Sequence, residues 1–377
     1  MGIQRQSVIQ REDFQHLITA LIGSGYRVVG PTLRDGAIVY GEVSRVSDLP
    51  EGWTDRQEAA EYRLQKREDR ALFGHNVGPH SWKKFLFPPE TRLWTASRND
   101  GGFSVANVHE DPPKLAFLGV RACELNAIFI QDRVFMEGRY VDPIYKTRRE
   151  NIFLIAVNCA QAGNTCFCAS MNAGPRAASG YDLALTEIVR DGRHEFVVDT
   201  GSERGAEILA RVPHREAGSG DKADADEIVE RTTRQMGRTL DTSNIRDLLV
   251  NNPDHPRWDD VAKRCLTCAN CTLVCPTCFC STVEDVTDLK GDHAERWRKW
   301  DSCFTMDFSY IYGGSVRASN KSRYRQWMTH KLATWADQFG SSGCVGCGRC
   351  ITWCPAAIDI TEEVKAMREE EPSDETY

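Results

Sequence analysis

The sequence predicts an α+β fold, in which an α/β-like N-terminal domain with a small sheet precedes a mainly helical C-terminal domain. Two continuous apolar runs, Leu115–Val120 and Ile152–Val157, predict strands that are buried on both faces of the sheet. The long segment between Cys275 and Cys344 is rich in helix formers and aromatic residues, and therefore predicts helices.

The first elements of the N-terminal domain follow from hydrophobic periodicity. Apolar residues recur at helical spacing over Phe14–Ile22 and predict a helix that ends in a glycine-rich turn. Val28-Val29 and Ala37–Tyr40 predict the strands of a hairpin or small sheet. The highly charged segment Glu51–Arg70 predicts a solvated helix or loop.

A change of composition marks the boundary between the domains. The charged stretch His214–Asp226, with Gly218-Ser-Gly220, predicts a linker, and a helical pattern resumes over Asp226–Leu240. The predicted organisation is an N-terminal domain at 1–213, a linker and helix at 214–240, and a helical domain at 241–377.

The composition excludes several classes of partner. The chain has 377 residues, and 47 Lys and Arg against 54 Asp and Glu leave a net charge of −7. Because there is no basic surplus, we expect no nucleic-acid partner. The longest apolar runs are far shorter than the roughly 18–20 residues that span a bilayer, and residues 1–10 lack the apolar core of a signal peptide. We therefore expect a cytoplasmic protein with no membrane partner.

Eight of the fifteen cysteines form two runs of the same spacing. Disulfides are rare in the cytoplasm, so these thiols are expected to bind metal. Each run has the form Cys-x2-Cys-x2-Cys-x3-Cys-Pro, which is typical of 4Fe–4S ferredoxins, where the fourth cysteine binds the other cluster. Structural zinc also uses Cys-x2-Cys pairs, but a triplet followed by Cys-Pro fits zinc poorly. The predicted ligands are Cys265, Cys268, Cys271 and Cys354 for one cluster, and Cys344, Cys347, Cys350 and Cys275 for the other.

Four further cysteines predict a third cluster. Cys123 directly follows the first buried strand and Cys159 the second, while Cys166 and Cys168 lie in the loop beyond. Ligand sites in open α/β sheets lie at the carboxyl ends of strands, so these thiols could converge. Buried cysteines can also be small apolar packing residues, and Glu124 could replace one of the ligands.

The last three cysteines, Cys278, Cys280 and Cys303, have no assigned role. A redox dithiol, a further metal site and plain packing all remain open, and we favour packing or contact with a neighbouring cluster.

Motifs of catalysis are missing from the sequence. It contains no zinc-protease helix, nucleophile elbow or phosphate-binding loop, so we expect neither a catalytic residue nor a substrate site. A chain with clusters and no reaction site is expected to conduct electrons. The cluster potentials would depend on backbone N–H groups near Gly346 and Gly348, and on the charges of Lys263, Arg264 and Arg349.

Several motifs together resemble one known family over essentially the whole chain. They are Gly119–Ile128, Gln131–Phe135, Asn158-Cys159, Thr165–Cys168, Cys275–Cys280, Trp300–Cys303 and Cys344–Cys350. The sequence resembles the iron–sulfur beta subunit of cytoplasmic NAD(P)-linked NiFe hydrogenases of the sulfhydrogenase type. The resemblance implies an electron-relay subunit of a multisubunit oxidoreductase. It also implies a flavoprotein partner that binds FAD and NAD(P), and the small and large subunits of a NiFe hydrogenase.

Two other functions remain as alternatives. The iron–sulfur subunit of anaerobic sulfite reductase belongs to the same family, and a stand-alone iron–sulfur reductase could use the N-terminal domain as a substrate site. We prefer the hydrogenase because the N-terminal segment through Trp82–Pro89 looks more like that branch.

Overall fold

A computed structural model describes residues 6–107 and 111–369. The strands are β1 (Gln6–Gln10), β2 (Arg27–Arg34), β3 (Ala37–Glu42), β4 (Trp53–Glu58), β5 (Glu61–Lys66), β6 (Glu90–Asn99), β7 (Gly102–Asn107), β8 (Leu115–Val120), β9 (Ile152–Val157), β10 (Leu183–Arg190), β11 (Arg193–Thr200), β12 (Arg215–Glu216), β13 (Ser281–Thr287), β14 (His293–Trp300), β15 (Tyr310–Ile311) and β16 (Gly314–Ser315). The α-helices are α1 (Phe14–Gly23), α2 (Lys83–Leu86), α3 (Ala122–Met136), α4 (Pro143–Glu150), α5 (Glu203–Leu209), α6 (Ser219–Arg234), α7 (Ile245–Asn251), α8 (Arg257–Arg264), α9 (Asn270–Leu273), α10 (Asn320–Thr329), α11 (Trp335–Phe339), α12 (Arg349–Thr352) and α13 (Ile360–Glu369). Short 3-10 turns cover Arg11–Asp13 and Val46–Asp48, and a π-helical turn covers His330–Thr334.

The N-terminal region is built on one mixed sheet, which is larger than the small sheet predicted from the sequence. Its eight strands run in the order β12-β1-β11-β10-β9-β8-β2-β3. The neighbours β2, β8, β9 and β10 are parallel, and the outer pairs are antiparallel. The predicted helix α1 and the predicted β2–β3 hairpin are confirmed.

The central strands β8 and β9 are buried on both faces, as their apolar runs predict. Ala116 and Leu118 face a core with α1 and α5, whereas Phe117 faces a second core with α3 and α4. The helices α3 and α4 connect β8 to β9, so both strands end at the same edge of the sheet. Cys123 and Cys159 follow these two ends.

The charged segment predicted as a solvated helix or loop forms the β4–β5 hairpin instead. Alternate side chains of this hairpin are buried, and Gln57 donates to the Val77 carbonyl at 3.0 Å. Tertiary packing of these alternate positions therefore overrides the high charge of the segment.

The predicted linker also differs in structure. Gly218 precedes α6, and Ala225 and Ile228 of this helix pack against Val8, Ile188 and Val197 of the large sheet. This part of 214–240 therefore covers a face of the N-terminal sheet rather than spanning a gap between domains.

The segment between the two cysteine runs is not wholly helical. Its first part forms the hairpin β13–β14, which joins β6 and β7 in a four-stranded sheet of order β13-β14-β6-β7. The N-terminal and C-terminal halves of the chain therefore share a sheet. The remainder contains the short β15–β16 hairpin and then, as predicted, helical structure in α10, the π-helical turn and α11.

The C-terminal core is apolar and lies against the cysteine runs. It contains Trp258, Tyr324, Trp327 and Met328, and Cys265 and Cys350 are among the cysteines packed against it. No helix within 6–107 or 111–369 is long and apolar enough to cross a membrane.

Candidate metal centres

The two cysteine runs adopt the same local backbone. Thr267 and Ala269 in the first run have φ values of 50° and 66°, and Gly346 and Gly348 at the matching positions have 64° and 74°. A four-residue helix, α9 or α12, carries the third cysteine of each triplet and ends before the fourth cysteine. The non-glycine residues in left-handed conformation store strain that the surrounding loop must hold. The shared geometry supports one ligand-binding role for both runs.

The first predicted set surrounds one pocket, which is lined by Cys265, Cys268, Cys271 and Cys354. Burial raises the pKa of Cys271, and the neighbouring thiols Cys265, Cys354 and Cys268 raise it further. The N–H of Ile358 donates to Cys354 Sγ at 3.4 Å. Backbone N–H donors to sulfur are typical of iron–sulfur loops, so these residues fit a cluster.

The second predicted set also comes together, with Cys275 joining the later run. The thiol of Cys350 is buried beside Cys344, Cys347 and Cys275, and burial raises its pKa. Burial also raises the pKa of Cys344 to about 12. The Gly346 N–H donates to Cys344 Sγ at 3.5 Å, as expected for the glycines of this loop. Because iron ligands are thiolates, loading would displace these protons.

The four upstream thiols are brought together at the sheet edge. Cys123 lies in electrostatic range of Cys168 and Cys159, and Cys166 lies in range of Cys159. Burial raises the pKa of all four, to about 12 for Cys166. The chain therefore concentrates buried thiols where the predicted third set lies.

The upstream loop is docked on the second cysteine run. The Phe167 N–H donates to the Gly346 carbonyl at 2.9 Å. A Cβ at Gly346 would lie 2.6 Å from the Phe167 carbonyl carbon, and one at Gly348 would lie 2.4 Å from the Thr165 oxygen. Both glycines thus serve close approach of this loop as well as backbone conformation, a role that the sequence analysis missed.

Glu124 is engaged in an ion pair and is not free to replace a ligand. Its carboxylate accepts from Arg349 Nη2 at 2.5 Å, from the Tyr40 hydroxyl at 2.6 Å and from Trp82 Nε1 at 3.1 Å. Arg349 is fully buried and also donates to the Gly78 and His80 carbonyls, at 2.8 Å each. The ion pair therefore ties the helix that carries Cys123 to the loop that carries Cys347 and Cys350.

Of the three cations predicted to influence the clusters, Arg349 is the one whose side chain reaches a ligand. It hydrogen-bonds the Cys347 thiol. Burial raises the pKa of this thiol, whereas the positive charge of Arg349 acts to lower it. Lys263 instead pairs with Asp260, and Arg264 with Glu363.

Two buried lysines were missed by sequence reasoning. Lys331, in the π-helical turn, donates to Cys275 Sγ at 3.2 Å and to Cys278 Sγ at 3.5 Å. Lys83 donates to the Cys278 carbonyl at 3.2 Å and lies 4.0 Å from the centroid of the Trp300 ring. Neither is near the cysteines in sequence, and no local pattern marks them.

The three unassigned cysteines lie beside these lysines. A hydrogen bond from Cys303 lowers the pKa of Cys280 to about 7, and the positive charges of Lys331 and Lys83 act in the same direction. Cys278 is hydrogen-bonded to Cys275 of the second set. Within the described ranges, no three His, Cys, Asp or Glu side chains close around a single metal ion.

Comparison with known proteins relates this chain to iron–sulfur proteins. Residues 264–358 match a family model described as a 4Fe-4S dicluster domain, which spans both cysteine runs. Over 290 residues the chain is 31% identical to sulfhydrogenase 2 subunit beta of Pyrococcus furiosus, and the match covers 76% of this chain and 82% of that protein.

Proposed function

Because this chain belongs to the family of sulfhydrogenase iron–sulfur beta subunits, we propose that it relays electrons between a FAD- and NAD(P)-binding flavoprotein and a NiFe hydrogenase in the cytoplasm. A role in electron transfer within an oxidoreductase follows from the family and from the 4Fe-4S dicluster domain. The named partners and the absence of a substrate site in this chain are the further parts of the proposal. When bound, 4Fe–4S clusters supply one-electron transfer.

The observation that carries the proposal is the contiguity of the three thiol sets. Cys350 of the second set lies in electrostatic range of Cys271 of the first. On the other side, Cys347 lies in range of Cys123 and Cys168 of the upstream set. The sets therefore form a row with the second in the middle, as a path for electrons through the chain requires.

The first set, at one end of this row, favours exchange with a partner subunit. Cys268 of the first set is exposed, and the neighbouring Leu266 is 65% exposed. Exposed apolar side chains also occur on the four-stranded sheet, including Phe103 and Val105 on β7. Exposed apolar groups of this kind are typical of surfaces that bind other proteins.

The proposal is tested by reconstitution. The isolated, cluster-loaded chain is expected to show neither NAD(P)H-dependent dye reduction nor hydrogen turnover, because the proposal places the nucleotide and NiFe sites in its partners. Adding the flavoprotein should allow NAD(P)H to bleach the visible absorption of the clusters, and adding the hydrogenase subunits should complete NAD(P)H-linked hydrogen production. Hydrogen turnover or nucleotide oxidation by the chain alone would contradict the proposal, and activity restored only by a sulfite-reducing partner would reassign the complex.

The proposed third cluster is tested by removing its loop thiols. Replacing Cys166 and Cys168 with serine should remove about four iron per chain from an expected total of at least about twelve. The magnetic interaction between the two dicluster centres should persist in the EPR spectrum of the reduced variant. Ser170→Ala, a change in the same turn that removes no thiol, serves as the control. Iron content equal to that of the wild type would return these cysteines to a packing role.

A further inference from the structure

Cys278, Cys280 and Cys303 converge although they belong to neither cysteine run nor to the upstream set. Cys280 and Cys303 are hydrogen-bonded to each other, and Cys278 lies in electrostatic range of Cys280. Cys278 also contacts Cys275 of the second set, and Cys303 lies in range of Cys271 of the first. The three thiols therefore lie between the two dicluster sets.

The charge around these thiols calls for a negative group. Lys83 and Lys331 are only 4% and 3% exposed. Their hydrogen bonds go to backbone carbonyls, to Thr277 and to the sulfurs of Cys275 and Cys278, and neither lysine pairs with a carboxylate of the described residues. Buried ammonium groups need an opposite charge nearby. Cys275, as a ligand of the second set, supplies negative charge beside Lys331. Lys83 instead contacts Cys278, so a negative group held by this thiol would balance it directly.

A cavity of about 310 Å³ opens beside the same three thiols. Its wall includes all of them, together with Arg317, His330 and Lys331. The π-helical turn that places Lys331 here is a rare irregularity that is found frequently at functional sites. Packing alone does not require a cavity lined by three thiols and three basic side chains.

We propose that Cys278, Cys280 and Cys303 bind a further iron–sulfur cluster, whose fourth iron faces this cavity. Three thiolates hold three irons of a cubane, and each thiol releases its proton to solvent as its iron–sulfur bond forms. The anionic cluster balances Lys83 and Lys331, and the fourth iron is open to water or to a small anion drawn by Arg317 and Lys331. A disulfide between Cys280 and Cys303 carries no negative charge and could not balance the two lysines. The positive charges therefore favour a cluster over a redox pair of Cys280 and Cys303.

The first test compares metal content. Full-length chain is reconstituted with iron and sulfide without oxygen, and Cys280→Ala/Cys303→Ala is compared with the wild type. The double variant should lose about four iron and four sulfide per chain, and it should keep the interacting EPR signal of the dicluster pair. Ser281→Ala, which removes a polar group from the same cavity, should lose no iron. An unchanged iron count in the double variant would overturn the proposal.

A second measurement uses the wild-type chain, so it does not depend on the folding of a variant. Cyanide should bind the open iron and shift the EPR signal of one reduced cluster, whereas cubanes held by four cysteines should not respond. Cyanide without effect, or a Cys280–Cys303 disulfide found by mass spectrometry in freshly isolated anaerobic protein, would overturn the proposal. Neither measurement involves partner subunits, so the result is independent of the proposed electron relay.

Discussion

Replacing Cys344 with serine is expected to lower NAD(P)H-linked hydrogen production by the assembled complex at least roughly tenfold, while dye-linked activity of the hydrogenase subunit stays unchanged. Loss of a side chain that only orients a metal ligand typically lowers metal affinity or activity roughly 10–100-fold. Loss of the ligand itself should lower the activity at least as much. Cys344 belongs to the second set, which lies between the first and upstream sets. Loss of the middle centre would therefore leave a long gap in the row.

The measurement is a pair of steady-state assays on the purified complex, one started with NAD(P)H and one with a dye that reduces the hydrogenase directly. Ser341→Ala changes a neighbouring side chain in the same loop without removing a thiol, and it should leave both rates intact. EPR of the reduced variant must show that the second cluster is missing. If the nucleotide-linked rate holds while that cluster is absent, the centre is a side branch and the row is not the path.

The parts of the site that could be predicted from the sequence are those set by local spacing. The two runs specify their own loop conformation through cysteine spacing and the residues between, which is why Thr267 and Gly346 take matching backbone angles. The buried strands β8 and β9 were likewise predictable, because continuous apolar runs need cover on both faces. Cys123 and Cys159 then follow from the rule that parallel strands end at one edge.

The parts that were missed depend on contacts between distant segments. The β13–β14 hairpin is stabilised by pairing with β6, which lies far earlier in the chain, so its own charged sequence gives a weak signal. Lys83 and Lys331 are far apart in the sequence, and only the packed structure shows that both contact Cys278. Long-range burial of a charge leaves no periodicity for a sequence analysis to detect.

The Glu124–Arg349 ion pair shows how such long-range contacts can hold two centres together. Both side chains are almost completely buried, at 1% and 0% exposure. Burial acts to lower the pKa of Arg349, but the attraction of the Glu124 carboxylate raises it well above its ordinary value. Because a guanidinium stays charged, the burial of Arg349 is compensated only while the Glu124 carboxylate lies beside it.

Glu124→Ala is accordingly expected to lower the free energy of unfolding by about 3–5 kcal/mol, because it leaves the buried Arg349 charge without a partner. Since Glu124 adjoins Cys123, and Arg349 adjoins Cys350, the variant should also lose iron from the upstream and second sets together. Anaerobic thermal denaturation and iron analysis measure the two effects. Glu137→Ala, an exposed change at the end of the same helix, is the matched control and should leave both values intact.

Two further variants separate the charge from its hydrogen bonds. Glu124→Gln keeps an acceptor for the Tyr40 hydroxyl and Trp82 Nε1 but removes the charge, so it should lose less stability than alanine and more than the control. The double variant Glu124→Leu/Arg349→Met removes both charges and should regain part of the stability lost by Glu124→Ala, since apolar pairs often replace buried ion pairs at little cost. If iron is lost from the double variant although its melting temperature recovers, Arg349 acts on the cluster through Cys347 as well as through the fold. If Glu124→Ala melts and binds iron like the control, the ion pair does not join the two centres.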